Sequence, residues 1–451
     1  LTGYLYVQAL ANKLSGVDQD PALNDMTITF NVDVDNSACL LTTNWYYGVD
    51  GHEGTDIELL PVMIHEIGHG LGFTSQVSST DGTYTGAFPS IFSHFILDDG
   101  SGLHWDQMTP TQRAASYVNT GNVVWDGPAA NAQASVILDR QRLVTVTAPA
   151  AIAGPYRAGV ATFGPDVTDP VVTAPVVLAN DGVADLSLSN GCTSFVNAAQ
   201  IAGKIALVDR GSCTFVTKAL NAQNAGAVGA IIADSISTPI ALDLGGSDQS
   251  ITIPVVGITL ADANLIKGQL GAGVTATIGG QHASWRTGAD LAGHVRLYAP
   301  NPAEGGSSIS HFDRSALPNL LMEPGITNSL YSQVDLTRHV FRDLGWFNGS
   351  TITGVPDGPT PDLRLTSAPN PFDGATTISF RLGRSGPVQL AVYDVGGRRV
   401  RELMNGWMPA GAHSFAWNGL DGEGAGAPAG VYLIRLRSPE GTWSGRVARL
   451  R

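Results

Sequence analysis

The stretch His65-Glu-Ile-Gly-His69-Gly-Leu-Gly-Phe73 decides how this chain is read. Two histidines four residues apart on a helix send their imidazoles from one face, with Glu66 beside them. That pattern suits a zinc ion held by His65 and His69, with Glu66 as the general base of a hydrolytic reaction. The alternative is a pair of ordinary polar residues on an amphipathic helix, which fits poorly with only 10 histidines in 451 residues. Gly68, Gly70 and Gly72 are poor helix formers, and they suit a helix end where the backbone turns just past the second ligand.

Outward from this motif, residues 4–15 carry apolar groups at helical spacing and stop at Gly16, which predicts a short helix. Met26-Thr-Ile28-Thr-Phe30-Asn-Val32-Asp-Val34-Asp alternates apolar and polar residues and predicts a strand. Thr55 to Glu58 resembles a capping box, but Pro61 inside a helix would remove a donor. A helix from Pro61 to about Leu71 is therefore expected, with His65 and His69 on its middle turns. Thr109-Pro-Thr-Gln112 marks the capped start of a further helix with a structural role.

Residues 149–285 change character: they are rich in Val, Ala, Ile and Gly and contain no Glu. Lys204 to Asp209 and Ala227 to Ala233 read as buried strands around a helix from Thr214 to Ala225, a β-α-β unit. This is an expected insert between residues 1–148 and 286–347, which would together form one catalytic domain. Residues 348–361 read as a Pro/Gly/Thr linker. Short alternating strands separated by Gly, Pro and Asp turns then predict a small β-sandwich over 362–451. The expected class is thus multidomain α+β, with an α/β insert and an all-β C-terminal module.

A net charge of −14 argues against nucleic acid or an anionic membrane as partner. No run of about 18 apolar residues predicts a membrane span. No signal-peptide pattern opens the chain, and Leu1 in place of Met favours a processed or truncated sequence. Three cysteines are too few for a disulfide scaffold, although two could form one bridge in an exported protein.

The His65–Phe73 segment resembles the metzincin clan of zinc peptidases, whose extended signature would place a third histidine where Ser75 stands. The leishmanolysin-like branch instead brings that histidine after an insertion, eleven residues before the methionine of a Met-turn. Here His311 precedes Met322 by eleven, within Ser310-His311-Phe-Asp and Leu321-Met-Glu-Pro324. The resemblance covers residues 26–73 and 305–347, including Asp335 to Trp346. It implies a metzincin-like catalytic domain with one catalytic Zn2+ on His65, His69 and His311, and Met322 as a hydrophobic floor beneath the metal. Pro324 stands where some relatives have a tyrosine near the metal. His94, His104 and the Asp98-Asp99 pair lie nearer in sequence but at no metal-ligand spacing. Glu304 and Glu323 are formal alternatives outside any helical motif. Asp98-Asp99-Gly100 reads as an acidic surface turn, which leaves Ca2+ without support.

Gly203-Lys-Ile-Ala-Leu-Val-Asp-Arg-Gly-Ser-Cys213-Thr-Phe, with Lys218, resembles the protease-associated domain, and this likeness implies a Cys192–Cys213 disulfide. Ala368-Pro-Asn-Pro-Phe372, Tyr393 to Arg398 and Pro428 to Tyr432 resemble the immunoglobulin-like modules of bacterial secreted proteins and of flagellar hook-capping proteins. Such a module implies an adhesion, sorting or spacer role, the first two through contact with a cell surface or with secretion machinery. The expectation is a secreted bacterial zinc endopeptidase acting on protein or peptide substrates. Its rivals are a catalytically degenerate binding or adhesion protein that keeps the metalloprotease fold, and a non-peptidase zinc hydrolase such as an amidase.

Overall fold

The computed structural model describes all residues except 1, 41, 49–51, 184–186, 326, 328–329, 331–334, 348–364, 383–385, 395–397, 410, 423, 439–440 and 451. The expected linker lies outside the described residues. Two compact units result, Leu1–Asn348 and Gly349–Arg451.

Within the first unit, the segments that flank the insert share one core. Leu10, Phe73, Phe92, Trp105 and Trp125 pack with Leu297, Phe312, Met322, Leu336 and Val340. A four-stranded antiparallel sheet spans the same divide, in the order Val295–Arg296, Val123–Trp125, Ile96–Asp98, Leu103–His104. The helix Leu336–Leu344, capped by Asp335, closes the unit from behind. Its Asp343 carboxylate accepts Trp125 Nε1 at 3.0 Å and the backbone N–H groups of Ala129 and Ala130 at 2.7 and 3.1 Å. It thereby satisfies the otherwise orphan donors at the start of helix Pro128–Ile137. Trp346 Nε1 donates to Leu71 O at 2.8 Å, fastening the end of the histidine-bearing helix to the same element.

The insert is a closed seven-stranded barrel: β1 (Arg140–Ala148), β2 (Gly154–Val160), β3 (Pro170–Leu178), β4 (Ile205–Asp209), β5 (Gly229–Ala233), β6 (Val255–Ile258) and β7 (Thr275–Arg286). The strands follow one another round the barrel as β5-β6-β2-β1-β7-β3-β4, with β3, β4, β5 and β6 running parallel. The helix Phe215–Asn224 crosses between β4 and β5, as the β-α-β pattern predicts. The expected start of the insert at 149 is corrected: β1 pairs with both β2 and β7, so the barrel begins at Arg140. Polar Arg140, Gln141 and Arg142 hide this strand from a hydrophobicity reading. Arg140 and Arg286 are register partners, and Thr287 N donates to Asp139 O at 3.0 Å. Both ends of the barrel therefore leave the host side by side, which is what an insertion needs.

The second correction concerns residues 26–35. They pair with no strand, and Val32–Asp35 forms a 3₁₀ turn capped by the Asn31 side chain. Val34 is buried and Met26, Ile28 and Phe30 are half-buried while Val32 is 75% exposed, so the alternation reflects local packing without a neighbouring strand. The first helix runs from Gln8 to Ser15, ending at Gly16 with φ 73°. The helix at Thr109 forms with its capping box complete.

The C-terminal unit is a two-sheet antiparallel sandwich. One sheet holds Thr366–Ala368, Thr376–Leu382 and Gly411–Trp417, and the other Arg399–Met408, Gly386–Tyr393, Gly430–Ser438 and Gly441–Arg449. Phe372, Ile378, Leu390, Trp417, Tyr432 and Leu436 fill the space between them. The strands Arg399–Met408 and Gly441–Arg449 carry too many polar residues to be read from alternation.

Replacing Asp343 by Ala leaves three donors without their carboxylate. Urea unfolding of Asp343→Ala should show a loss of about 2–3 kcal/mol, and a loss near zero would show that water replaces the carboxylate at no cost.

Candidate metal centre

The histidine helix runs from Leu59 to Gly70, with Pro61 in its first turn, where a missing N–H costs nothing. Gly72, at φ 113°, makes the turn out of the helix. Gly68 serves close packing instead: a Cβ there would lie 2.6 Å from Met322 Sδ. Met322 is fully buried against this face of the helix.

Two segments far apart in sequence, the helix Leu59–Gly70 and the loop bearing His311, bring His65, His69 and His311 together. His65 Nε2 lies 3.1 Å from Nε2 of His69 and 3.1 Å from Nε2 of His311. Each ring is held from behind by a backbone carbonyl at 2.7 Å: His65 Nδ1 on Leu321 O, His69 Nδ1 on Phe73 O, and His311 Nδ1 on Ser307 O. A carbonyl only accepts, so each Nδ1 carries the proton and each neutral Nε2 presents a lone pair. Three lone pairs facing one another repel unless a cation lies among them. Tetrahedral donors about 2.0–2.1 Å from zinc would be separated by about 3.3 Å, so this set suits the ion. Burial lowers the pKa of His69, and it lowers that of His311 to about 3, which keeps both rings neutral. Glu66 is half-buried next to His65, and its charge acts on His69 in the opposite sense.

His311 sits in a strained setting. Ile309 is buried with φ 68°, a left-handed conformation costing a β-branched residue about 1–3 kcal/mol. The bonds Ile309 N to Tyr298 O at 2.7 Å and Tyr298 N to His311 O at 2.9 Å hold it there. Ser75 donates its N–H to Ser310 Oγ at 3.0 Å, so it lies against the segment that carries His311. The turn at Met322 is tied by Leu320 N to Glu323 Oε1 at 2.8 Å and by Leu321 N to Asp335 Oδ2 at 2.5 Å. That turn aims the Leu321 carbonyl at His65.

The remaining candidates lie elsewhere. His94 Nδ1 faces Asp106 at 2.7 Å, with Tyr4 Oη donating to the same carboxylate at 2.6 Å. Glu304 is half-exposed opposite Arg314, and Glu323 is buried, with burial raising its pKa to about 8. His104 belongs to a polar chain that no sequence spacing signals. Its Nε2 faces Asp126 at 2.8 Å, His294 Nε2 faces the other Asp126 oxygen at 3.4 Å, and His294 Nδ1 faces Asp290 at 2.8 Å. Asp99, Asp290 and His294 place donor atoms within 4.8 Å of one another. Both His294 nitrogens face carboxylates, so an imidazolium accounts for the geometry without a metal. The Asp290 hydrogen bond raises the pKa of His294, against the effect of its burial.

Two outcomes follow from this geometry. Gly68→Val should destabilise the chain by about 1–3 kcal/mol through overpacking. In a double-mutant cycle with Met322→Ala the two losses should be less than additive, and strict additivity would remove the contact from consideration. The folded pKa of His294 lies above its unfolded value of about 6.5. Its stabilisation is therefore complete below that pH and is lost as pH rises through the folded value. The melting-temperature gap between wild type and His294→Gln should be widest below about pH 6.5 and narrow above it; a gap constant across the range would contradict the ion pair.

Comparison with known proteins identifies two modules. Residues 172–266 match the PA domain and residues 366–441 the FlgD Ig-like domain. Among curated relatives, a probable leucine aminopeptidase 2 of Aspergillus fumigatus is 36% identical over 126 residues, 27% of this chain and 23% of its own. ER degradation-enhancing alpha-mannosidase-like protein 3 of Xenopus laevis is 35% identical over 117 residues, 24% of this chain and 12% of its own. A probable lipoprotein aminopeptidase LpqL of Mycobacterium tuberculosis is 37% identical over 106 residues, 23% and 19% of the two chains. The chain thus spans less than a quarter of the length of these relatives, whose names cover unlike chemistries. A zinc aminopeptidase structure from Bacillus subtilis aligns over 35% of this chain and 36% of its own at 22% identity, with a TM-score of 0.23, too low to carry an argument. Neither family match reaches residues 26–73 or 305–347, which carry the metzincin resemblance. The chain is a multidomain α+β protein that contains a PA domain and a C-terminal FlgD-type Ig-like domain.

Proposed function

We propose that this chain is a secreted zinc-dependent endopeptidase of metzincin type. The observation that carries the reading is the convergence of three Nε2 atoms, each with its Nδ1 proton committed to a carbonyl, beside a glutamate. His65, His69 and His311 would hold the ion. Bound zinc supplies Lewis-acid polarisation of the scissile carbonyl and acidifies water. Glu66 accepts a proton from the attacking water and returns it to the leaving amine nitrogen. The carbonyls of Leu321, Phe73 and Ser307 keep each imidazole in one tautomer and one orientation. Met322, packed under Gly68, fixes the helix against the turn that supplies the first of these carbonyls.

Aminopeptidases among the partial relatives favour peptide hydrolysis over other zinc hydrolase chemistry. The Cys192–Cys213 disulfide accords with an exported protein. A second reading, a degenerate protease fold kept for binding, takes its support from Ser75 at the position of the adjacent third ligand.

One zinc per chain is expected by elemental analysis, with marked loss in folded His311→Ala. Glu66→Gln should retain the metal while cleavage of an N-acetylated peptide falls at least 100-fold. Retained cleavage in Glu66→Gln would reject the assigned base. Zinc without any cleavage in the wild type would favour the binding reading, and cleavage confined to free N-termini would make the enzyme an aminopeptidase.

A further inference from the structure

Two buried arginines meet where the barrel joins its host. Arg157 lies on β2 and is 8% exposed, and Arg296 lies on the host strand Val295–Arg296 and is 4% exposed. Arg157 donates from Nη1 to Ala289 O and from Nη2 to Asp290 O, each at 2.9 Å. Arg296 donates from Nε to Gly121 O at 2.9 Å and from Nη1 to the same Ala289 carbonyl. One oxygen thus holds the two guanidinium groups side by side.

All of these acceptors are backbone carbonyls, and among the described residues neither guanidinium forms an ion pair. Arg157 Nε is buried with no acceptor at all. The Asp290 charge attracts both groups from beyond ion-pair distance. Burial lowers the pKa of Arg157 to about 10, and the charge of Arg296 acts in the same direction. Two like charges taken out of water with no carboxylate between them are costly, and an anion placed there would offset the repulsion and accept from the idle N–H groups.

The fold leaves room for such an anion. Both side chains line a cavity of about 520 Å³, whose rim residues Ser237, Ala261 and Leu291 are exposed. Tyr156 and Trp285 add ring surface to its wall: the Tyr156 hydroxyl is committed to Ile152 O at 2.6 Å, and the Trp285 ring centre lies 5.6 Å from Arg157 Cζ. This is more space and more apolar surface than an inorganic ion uses, and it suits the body of an organic acid. Asp262, in the same wall, disfavours a second negative group on the ligand.

We propose that this cavity binds a small organic monocarboxylate with an apolar body, its carboxylate held between Arg157 and Arg296 and its body against Tyr156 and Trp285. Planar guanidinium forks match a carboxylate in geometry as well as in charge. Arg157 belongs to the barrel and Arg296 to the host, so the bound acid ties one to the other. No residue of the proposed metal centre takes part.

The test is calorimetric titration of the full chain with N-acetyl-phenylalanine, with its uncharged amide, and with inorganic phosphate. The acid is expected to bind at least about tenfold more tightly than the amide, and more tightly than phosphate. Its binding should persist in folded His311→Ala, which separates this cavity from the metal centre. Arg157→Gln should remove the preference for acid over amide. Leu291→Glu alters an exposed rim residue and should weaken the acid about fivefold while leaving the amide unchanged. If Arg157→Gln does not fold, Leu291→Glu decides. No measurable binding of the acid, equal affinities for acid and amide, phosphate bound more tightly than the acid, loss of acid binding in His311→Ala, or acid binding indifferent to Leu291→Glu would each overturn the proposal.

Discussion

The candidate centre depends on three bonds from imidazole Nδ1 to backbone carbonyls. Without them, each histidine could rotate or take the other tautomer, and the three Nε2 atoms would not meet. The carbonyls belong to Phe73, Ser307 and Leu321, which lie on three separate turns. Each turn is fixed by something else: Phe73 by the exit of the helix through Gly72, Ser307 by the strained loop around Ile309, and Leu321 by Asp335. Side-chain chemistry at the centre is thus a consequence of backbone placement.

That placement must survive a barrel between residues 140 and 286. It does so because the barrel closes on itself hydrogen bond by hydrogen bond and returns the chain to where it departed. The host core shares Trp125 and Leu297 across the gap, and Asp343 and Trp346 bind the closing helix back to the first half. A barrel with splayed ends would have pulled the His311 segment away from the histidine helix. Insertion costs little here, since closing a longer loop adds only logarithmically to the entropy.

Much of this was legible in the sequence for a local reason. A spacing of four residues on a helix fixes geometry by itself, so His65, Glu66 and His69 could be placed together from the motif. His311 was legible only through resemblance, because nothing in its own neighbourhood announces a partner 242 residues upstream. The carbonyl partners were illegible in principle, since every residue has a carbonyl and only the fold selects three. The strand expected over 26–35 failed because alternation describes a residue pattern, whereas a strand needs a neighbour to bond. The start of the barrel was missed for the opposite reason: Arg140 to Arg142 find their neighbours despite a polar sequence. The chain of His104, Asp126, His294 and Asp290 joins two distant segments, and no spacing could have signalled it.

Ser75 shows how a departure from a pattern can be part of the same design. In the compact zinc-peptidase signature a histidine at this position would itself approach the metal. Here the chain at Ser75 instead gives its N–H to Ser310, the residue immediately before His311. A late-arriving histidine can enter such a centre only through space that an early one would have filled, and only if the loop bearing it is anchored there. A small side chain at position 75 leaves that space open, and the backbone donor there meets the hydroxyl of the incoming segment. The strain at Ile309 has a matching setting, because Tyr298 bonds Ile309 and His311 on either side of Ser310, and Ser75 holds Ser310 itself. If His311 is the third ligand, as proposed, Ser75 and His311 are two halves of one structural solution.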